Sequence, residues 1–356
     1  MSLAVTVLKN SAVLLLFLLF ISCGTKNKEY ANNVFPYSQF PQEKELKGEV
    51  IELDTALFRY PFRIRIEGDK AIVLDLHGSD YYGHLFQYPS FRYLSSFGRR
   101  GDSPLEMLSM ENFRLHNHTL WTLDANKSEL TRLDFSSSGD SLLREETVAL
   151  DEDILRPLDF AIYNDTTFVI PDYSGESRFL KVDCKGKLIE KIGTIPTTNK
   201  KALQEARPAL AQAWRSFLDY NSHNSVLATV TQLGEVVEIY NLKDSTHVIR
   251  VGEYDEPEFK VSDGYGIPTG IMGFSDVQVT DDAIYAVFHG TSFKDIARQS
   301  GRLSDGGKYI YVFSLKGEPL CKYVLDHYIY GIWVDEVTKT IMATDVNNDQ
   351  PILKFS

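Results

Sequence analysis

A short β run that ends in aspartate recurs along this chain, and it constrains the fold more than any other feature. It is read in Ala71-Ile72-Val73-Leu74-Asp75, Leu120-Trp121-Thr122-Leu123-Asp124, Thr167-Phe168-Val169-Ile170-Pro171-Asp172 and Thr340-Ile341-Met342-Ala343-Thr344-Asp345. Two further runs, Val226–Thr231 and Ala283–His289, keep the strand but lack the aspartate. Polar turns precede each run, such as Glu67-Gly68-Asp69-Lys70, and most are followed by a second turn, such as Asp183-Cys184-Lys185-Gly186-Lys187. Short apolar strands joined in this way build antiparallel meanders. Asp75, Asp124 and Asp172 lie about 50 residues apart, the length of one four-stranded unit. A lone meander cannot bury both of its faces. Units stacked radially about an axis can, and they leave only short edges.

The expected fold is therefore all-β, a six-bladed β-propeller with units over roughly 57–100, 104–150, 157–196, 220–253, 273–326 and 327–356. The last unit is short of an outer strand. Glu49-Val50-Ile51-Glu52-Leu53 is expected to supply it, so that an N-terminal strand closes the last blade and removes a free edge. A short helical insertion is expected near 199–219, where Leu203, Leu210, Trp214 and Phe217 fall at helical spacing and cap the ring. Residues 254–275 and 293–308 are two further excursions from the repeat.

The N-terminus reads differently. Lys9 precedes the apolar run Ser11–Ile21, which is too short to span a bilayer comfortably, and Ser22-Cys23-Gly24 follows. This pattern describes a secretory signal peptide, and the cysteine at its end resembles the lipobox of bacterial lipoproteins. Residues after it are polar and include Pro36 and Pro41, a composition suited to a tether. The expected organisation is a signal peptide over 1–22, a lipid-anchored tether over 23–43 and the propeller over 44–356.

Phe97-Gly98-Arg99-Arg100-Gly101-Asp102-Ser103-Pro104-Leu105-Glu106-Met107 is similar to a Gly-rich loop between the first two blades of the TolB-like six-bladed β-propeller lipoproteins of Gram-negative bacteria. With the strand-aspartate phrase and Cys23, it makes the chain resemble that family over about residues 44–356. Met107 stands where the family has an aromatic residue, and Ser103 where it often has glycine. The resemblance implies acylation at Cys23 and an outer-membrane lipoprotein facing the periplasm, anchored in membrane lipid. Gly24, rather than aspartate, follows the cysteine.

Function is less legible. A formal charge of -12 excludes a nucleic-acid partner of the usual basic kind. Cys184 and Cys321 fall at similar places in different repeats, which favours free thiols over a bridge. No catalytic, phosphate-binding or zinc-binding motif is present, and no cofactor is expected. His116 and His118 have the spacing of metal ligands but read better as solvated turn residues. Asp54-Thr55-Ala56, Asp140-Ser141-Leu142, Asp165-Thr166-Thr167 and Asp244-Ser245-Thr246 resemble the O-glycosylation sequon of some Gram-negative gut commensals. The expected role is a binding or scaffold module for a protein, peptide or glycan of the cell envelope, with Tyr82, His84, Arg99, Arg100, Tyr265 and His289 as candidate ligand-binding residues. The alternative is a propeller-type hydrolase or lyase acting on a sugar or lactone. Its one asymmetric feature is His289, which replaces the recurrent aspartate of the fifth unit.

Overall fold

The computed structural model describes residues 33–54, 58–299 and 303–356; Cys23 and the expected signal peptide lie outside them. Apart from one two-stranded hairpin, the strands form six sheets. The first blade is Pro61–Glu67, Lys70–Asp75, Tyr81–Gln87 and Arg92–Arg99. The second is Met110–His116, Thr119–Asp124, Glu129–Phe135 and Leu142–Ala149. The third is Ala161–Asn164, Thr167–Pro171, Phe179–Asp183 and Leu188–Ile192. Ser216–Asn221, Val226–Thr231, Val236–Asn241 and Thr246–Val251 form the fourth. Phe274–Val279, Ala283–Phe288, Gly307–Ser314 and Pro319–Ile329 form the fifth. The sixth joins Ile332–Asp335, Thr340–Thr344 and Ile352–Phe355 to Glu49–Ile51, which pairs antiparallel with Ile352–Lys354 as expected. The first strands of successive blades touch in cyclic order and form the inner wall of the ring.

Connectivity gives the ring two unlike ends. First and second strands, and third and fourth, are joined at one end, here the lower, by tight turns. Second-to-third turns and passages between blades lie at the upper end, and so do all three excursions from the repeat.

Two expectations are corrected. Residues 33–43 are not tether. Val34–Pro36 pairs parallel with Ile249–Val251 at the edge of blade four, and Gln42–Leu46 pairs parallel with Cys321–Leu325 at the edge of blade five. Tyr37, between them, is buried edge-on to Phe40 and Phe313. The helical insertion is also shorter than its apolar spacing suggests. It consists of Lys200–Glu205 and Arg207–Ala213, while Phe217 lies in the inner strand of blade four. Arg178 sets that exit. Its guanidinium donates to the Trp214 carbonyl at 3.2 Å and to Ser216 Oγ at 2.7 Å, and it pairs with the buried Glu238.

The recurrent aspartates hold the upper end in shape. Asp75 accepts the backbone N–H groups of Arg59 and Tyr60, at the entry to the first strand, and that of His77. Asp124 does the same for Leu108, Ser109, Asn126 and Lys127. Asp172 binds the N–H groups of Ser174 and Ser177, and Asp345 that of Asn347. Carboxylates so supplied fasten the turns that follow their strands.

The inner wall carries a second device. Arg65 forms a fork to Asp276, with both contacts at 3.1 Å, and also donates to the Ile332 carbonyl. Arg63 approaches the same carboxylate at 3.3 Å and lies between the rings of Phe62 and Phe217. Arg114 pairs with Asp159 at 2.7 Å and donates to the Leu218 carbonyl. The carboxylates then accept backbone N–H groups from the next blade: Asp159 from Leu218, Asp219 from Val279 and Asp276 from Ile332. Burial alone would raise the Asp276 carboxyl, but Arg63 and Arg65 outweigh it and hold the group below the usual carboxylate range. At Asp159 and Asp219 burial wins and the carboxyl rises.

Replacing Asp276 with alanine strands two buried guanidinium groups, and the expected loss is roughly 3–5 kcal/mol in urea denaturation. The double replacement Arg65→Met with Asp276→Leu is expected to cost less than Asp276→Ala alone, and a larger cost in the double variant would refute the pairing.

Candidate functional site

The six residues singled out from the sequence do not converge on one pocket. Tyr82 and Arg100 meet, but inside the wall of blade one. The Arg100 guanidinium lies 3.7 Å from the centre of the Tyr82 ring and donates to its hydroxyl at 3.0 Å and to the Leu76 carbonyl. Tyr82 in turn donates to the Leu108 carbonyl at 2.7 Å. Arg99 turns outward to Glu106 at 3.5 Å. The Gly-rich loop around them is a compact crossing between blades. Gly101 has φ +153°, and a Cβ there would fall 1.9 Å from the Glu106 carboxylate. Met107 is buried beneath the loop, in the place the resemblance gives to an aromatic.

His84 lies within the third strand of blade one, its Nδ1 2.9 Å from Ser96 Oγ and Phe58 edge-on to its ring. Tyr265 stands exposed on the hairpin formed by Phe259–Ser262 and Tyr265–Pro268. His289 follows the second strand of blade five, edge-on to Tyr330 at 5.6 Å. Its Nε2 is buried without a hydrogen-bond partner. Burial pushes the imidazole down to about 4, with Asp305 opposing that shift. His116 and His118 part company, to Asp165 at 2.8 Å and Glu67 at 3.0 Å. No group of three or more His, Cys, Asp or Glu side chains gathers as a metal site among the described residues. Cys184 and Cys321 are unpaired. Of the sequon-like segments, the three described in full sit at lower turns; Thr55 and Ala56 lie outside the described residues.

The upper end offers two features the sequence reading missed. One is an aromatic mouth over the inner wall, where Phe62 packs against Tyr330 and Phe217, and Tyr60 against Tyr330. The third excursion reaches it, because Tyr60 donates to the Asp305 carboxylate at 2.5 Å and Asn347 fixes the Asp305 backbone through two hydrogen bonds.

The other is a cleft of about 450 Å³ between blades three and four. Leu155, Leu158, Pro208, Leu233 and Pro268 give it apolar walls, and Arg156, Tyr173, Gln212 and Arg215 give it polar groups. Arg215 Nε is buried without a hydrogen-bond partner, and the buried Tyr173 hydroxyl has the Ser216 backbone beside it. Burial raises the Tyr173 phenol, with Asp159 adding to the rise and the charges of Arg178 and Arg215 opposing it. These residues come from five separate stretches of chain, so no local pattern announces them.

His289 generates a pH prediction. Its imidazole stays neutral in the folded chain down to about 4, whereas an unfolded chain takes up the proton near 6.5. Stability is therefore whole above the unfolded value and falls as pH drops from there towards 4, by roughly 2–3 kcal/mol. Urea titrations at neutral and acid pH should show a smaller acid loss in His289→Gln; equal losses would remove His289 as the cause.

The TolB-like six-blade propeller family model matches residues 39–337. No curated protein matches the chain. Among solved structures, a Bacteroides fragilis NCTC 9343 protein described as exported is 12% identical with a TM-score of 0.56, covering 90% of this chain and 98% of that one. An auxiliary nutrient binding protein of Bacteroides ovatus ATCC 8483 is 10% identical with a TM-score of 0.52, over 84% of this chain and 70% of that one. A DUF4221 family member from Bacteroides vulgatus ATCC 8482 is also 10% identical, at 0.52, over 88% and 95%. At such identities the likeness is one of fold. The six sheets in cyclic order and the span of the family match agree: the chain belongs to the TolB-like six-blade propeller family.

Proposed function

We propose that this chain is an exported, lipid-anchored propeller that captures a protein, peptide or glycan of the cell envelope at the upper end of its ring. The observation that carries the reading is the asymmetry of the two ends. Every excursion from the repeat emerges at the upper end, which also holds the cleft between blades three and four. Loops set on a rigid ring are a common place for binding groups. The hairpin there exposes Val261, Tyr265 and Ile267, three large apolar side chains on one small element. The fold likeness to proteins described as exported and as nutrient binding is in keeping with this reading. The anchor is assigned to Cys23, which follows the apolar run, with the outer membrane as its place and the periplasm as the compartment faced. The hydrolase or lyase alternative draws less support, since His289 lies edge-on to Tyr330 and belongs to no group of three or more His, Cys, Asp or Glu side chains among the described residues.

The anchor predicts that Cys23→Ser moves the chain from the detergent phase to the aqueous phase, and that the wild-type N-terminal peptide carries the mass of its acyl chains. A serine variant that stays in the detergent phase would overturn it. A crosslinked pull-down from native envelopes tests the binding end: serine at Val261, Tyr265 and Ile267 together should lower recovery of the partner, and unchanged recovery would reassign the face.

A further inference from the structure

We propose that the cleft between blades three and four binds a small organic carboxylate with an apolar body. The inference rests on the reading that the upper end is the binding end. Charge argues for it first. The chain carries a formal charge of -12, yet no carboxylate lines this cleft, and Arg156 and Arg215 both face it. Neither guanidinium has a hydrogen bond or ion pair among the described residues, whereas the other inward-facing arginines, Arg63, Arg65, Arg114 and Arg178, all have carboxylates within 3.3 Å. A buried arginine Nε without a partner, beside a buried tyrosine hydroxyl that has only the Ser216 backbone near it, leaves donor capacity for an acceptor.

Size and walls then choose among anions. A cleft of about 450 Å³ is far larger than an inorganic oxyanion needs. Leu155, Leu158, Leu233, Pro208 and Pro268 would leave such an ion facing hydrocarbon, which an organic body covers instead. A planar guanidinium matches a carboxylate through two parallel hydrogen bonds. One wall is fixed in place: Gly266 N–H donates to Gln212 Oε1 at 3.2 Å, and a Cβ at Gly266 would fall 2.2 Å from the Ala209 carbonyl. The hairpin can approach the helix this closely only through a glycine.

The test is calorimetric titration of the full acylated chain in detergent with 3-phenylpropionate, its neutral amide 3-phenylpropanamide, and inorganic phosphate, each to millimolar concentration. The acid should bind saturably, the amide and phosphate at least about tenfold more weakly. Arg215→Gln should weaken the acid by about tenfold or more and Arg156→Gln by a smaller factor, with thermal midpoints unchanged, since neither side chain holds a structural partner. No saturable binding of the acid, equal binding of acid and amide, equal binding of phosphate, or an Arg215→Gln chain that binds as wild type, would each overturn the assignment. The envelope pull-down separates the two readings. A failed titration with the pull-down intact removes the carboxylate and leaves the binding end standing, whereas failure of both removes both.

Discussion

The ring depends on a charge-balanced set of buried groups along its inner wall. Three arginines, Arg63, Arg65 and Arg114, face three aspartates, Asp159, Asp219 and Asp276. Removed from water singly, each would cost far more than one blade could offset. Together they become blade-to-blade links, because each aspartate also takes a backbone N–H from the next inner strand. Apolar packing between blades is non-directional and would tolerate a slip of one blade against another. A carboxylate that must meet one particular N–H does not tolerate it, so these contacts fix the register of blades three to six about the axis.

Much of this architecture could be read from the chain because the repeat leaves a local signature. Alternating apolar runs closed by Asp75, Asp124, Asp172 and Asp345 marked the second strands of four blades, and the short final unit pointed to Glu49–Ile51. What escaped has physical reasons. Gln42–Leu46 is exposed along most of its length and joins its blade mainly through the backbone ladder, with one ion pair from Lys322 to Glu43, so its sequence shows no apolar alternation. Phe217 kept helical spacing by coincidence, while Arg178 ended the helix from another blade. Arg63 and Arg65 alternate with apolar neighbours as in any half-exposed strand, and only ring closure brings Asp276 to them. Arg156, Tyr173 and Arg215 share a cleft only in three dimensions.

Departures from the repeat cluster where the upper end is most elaborate. Blades four and five lack the closing aspartate, and the hairpin of residues 259–268 and the helix Phe293–Arg298 emerge beside them. In blade four, Thr231 takes over part of the task by accepting the Val236 N–H. In blade five, His289 follows the strand with its Nε2 unpartnered. The three excursions follow blade three, follow blade four and interrupt blade five, so they occupy neighbouring positions on the upper end. The regular blades thus serve as a rigid frame, and individuality is confined to one sector of one end.

The described N-terminal segment runs along three blades in succession, beside the outer strands of blades four and five before completing blade six. Its partners lie more than two hundred residues away: Asn33 reaches His247, and Leu53 binds Gln350. During synthesis this segment emerges well before the strands it pairs with. Until blade five exists Gln42–Leu46 has no strand to pair with, and Glu49–Ile51 waits longer, for blade six. Closing so long a loop is entropically slow. The polar, partly charged composition of Gln42–Leu46 then has a purpose that the folded ring does not display: it keeps the waiting strand in water and away from other chains.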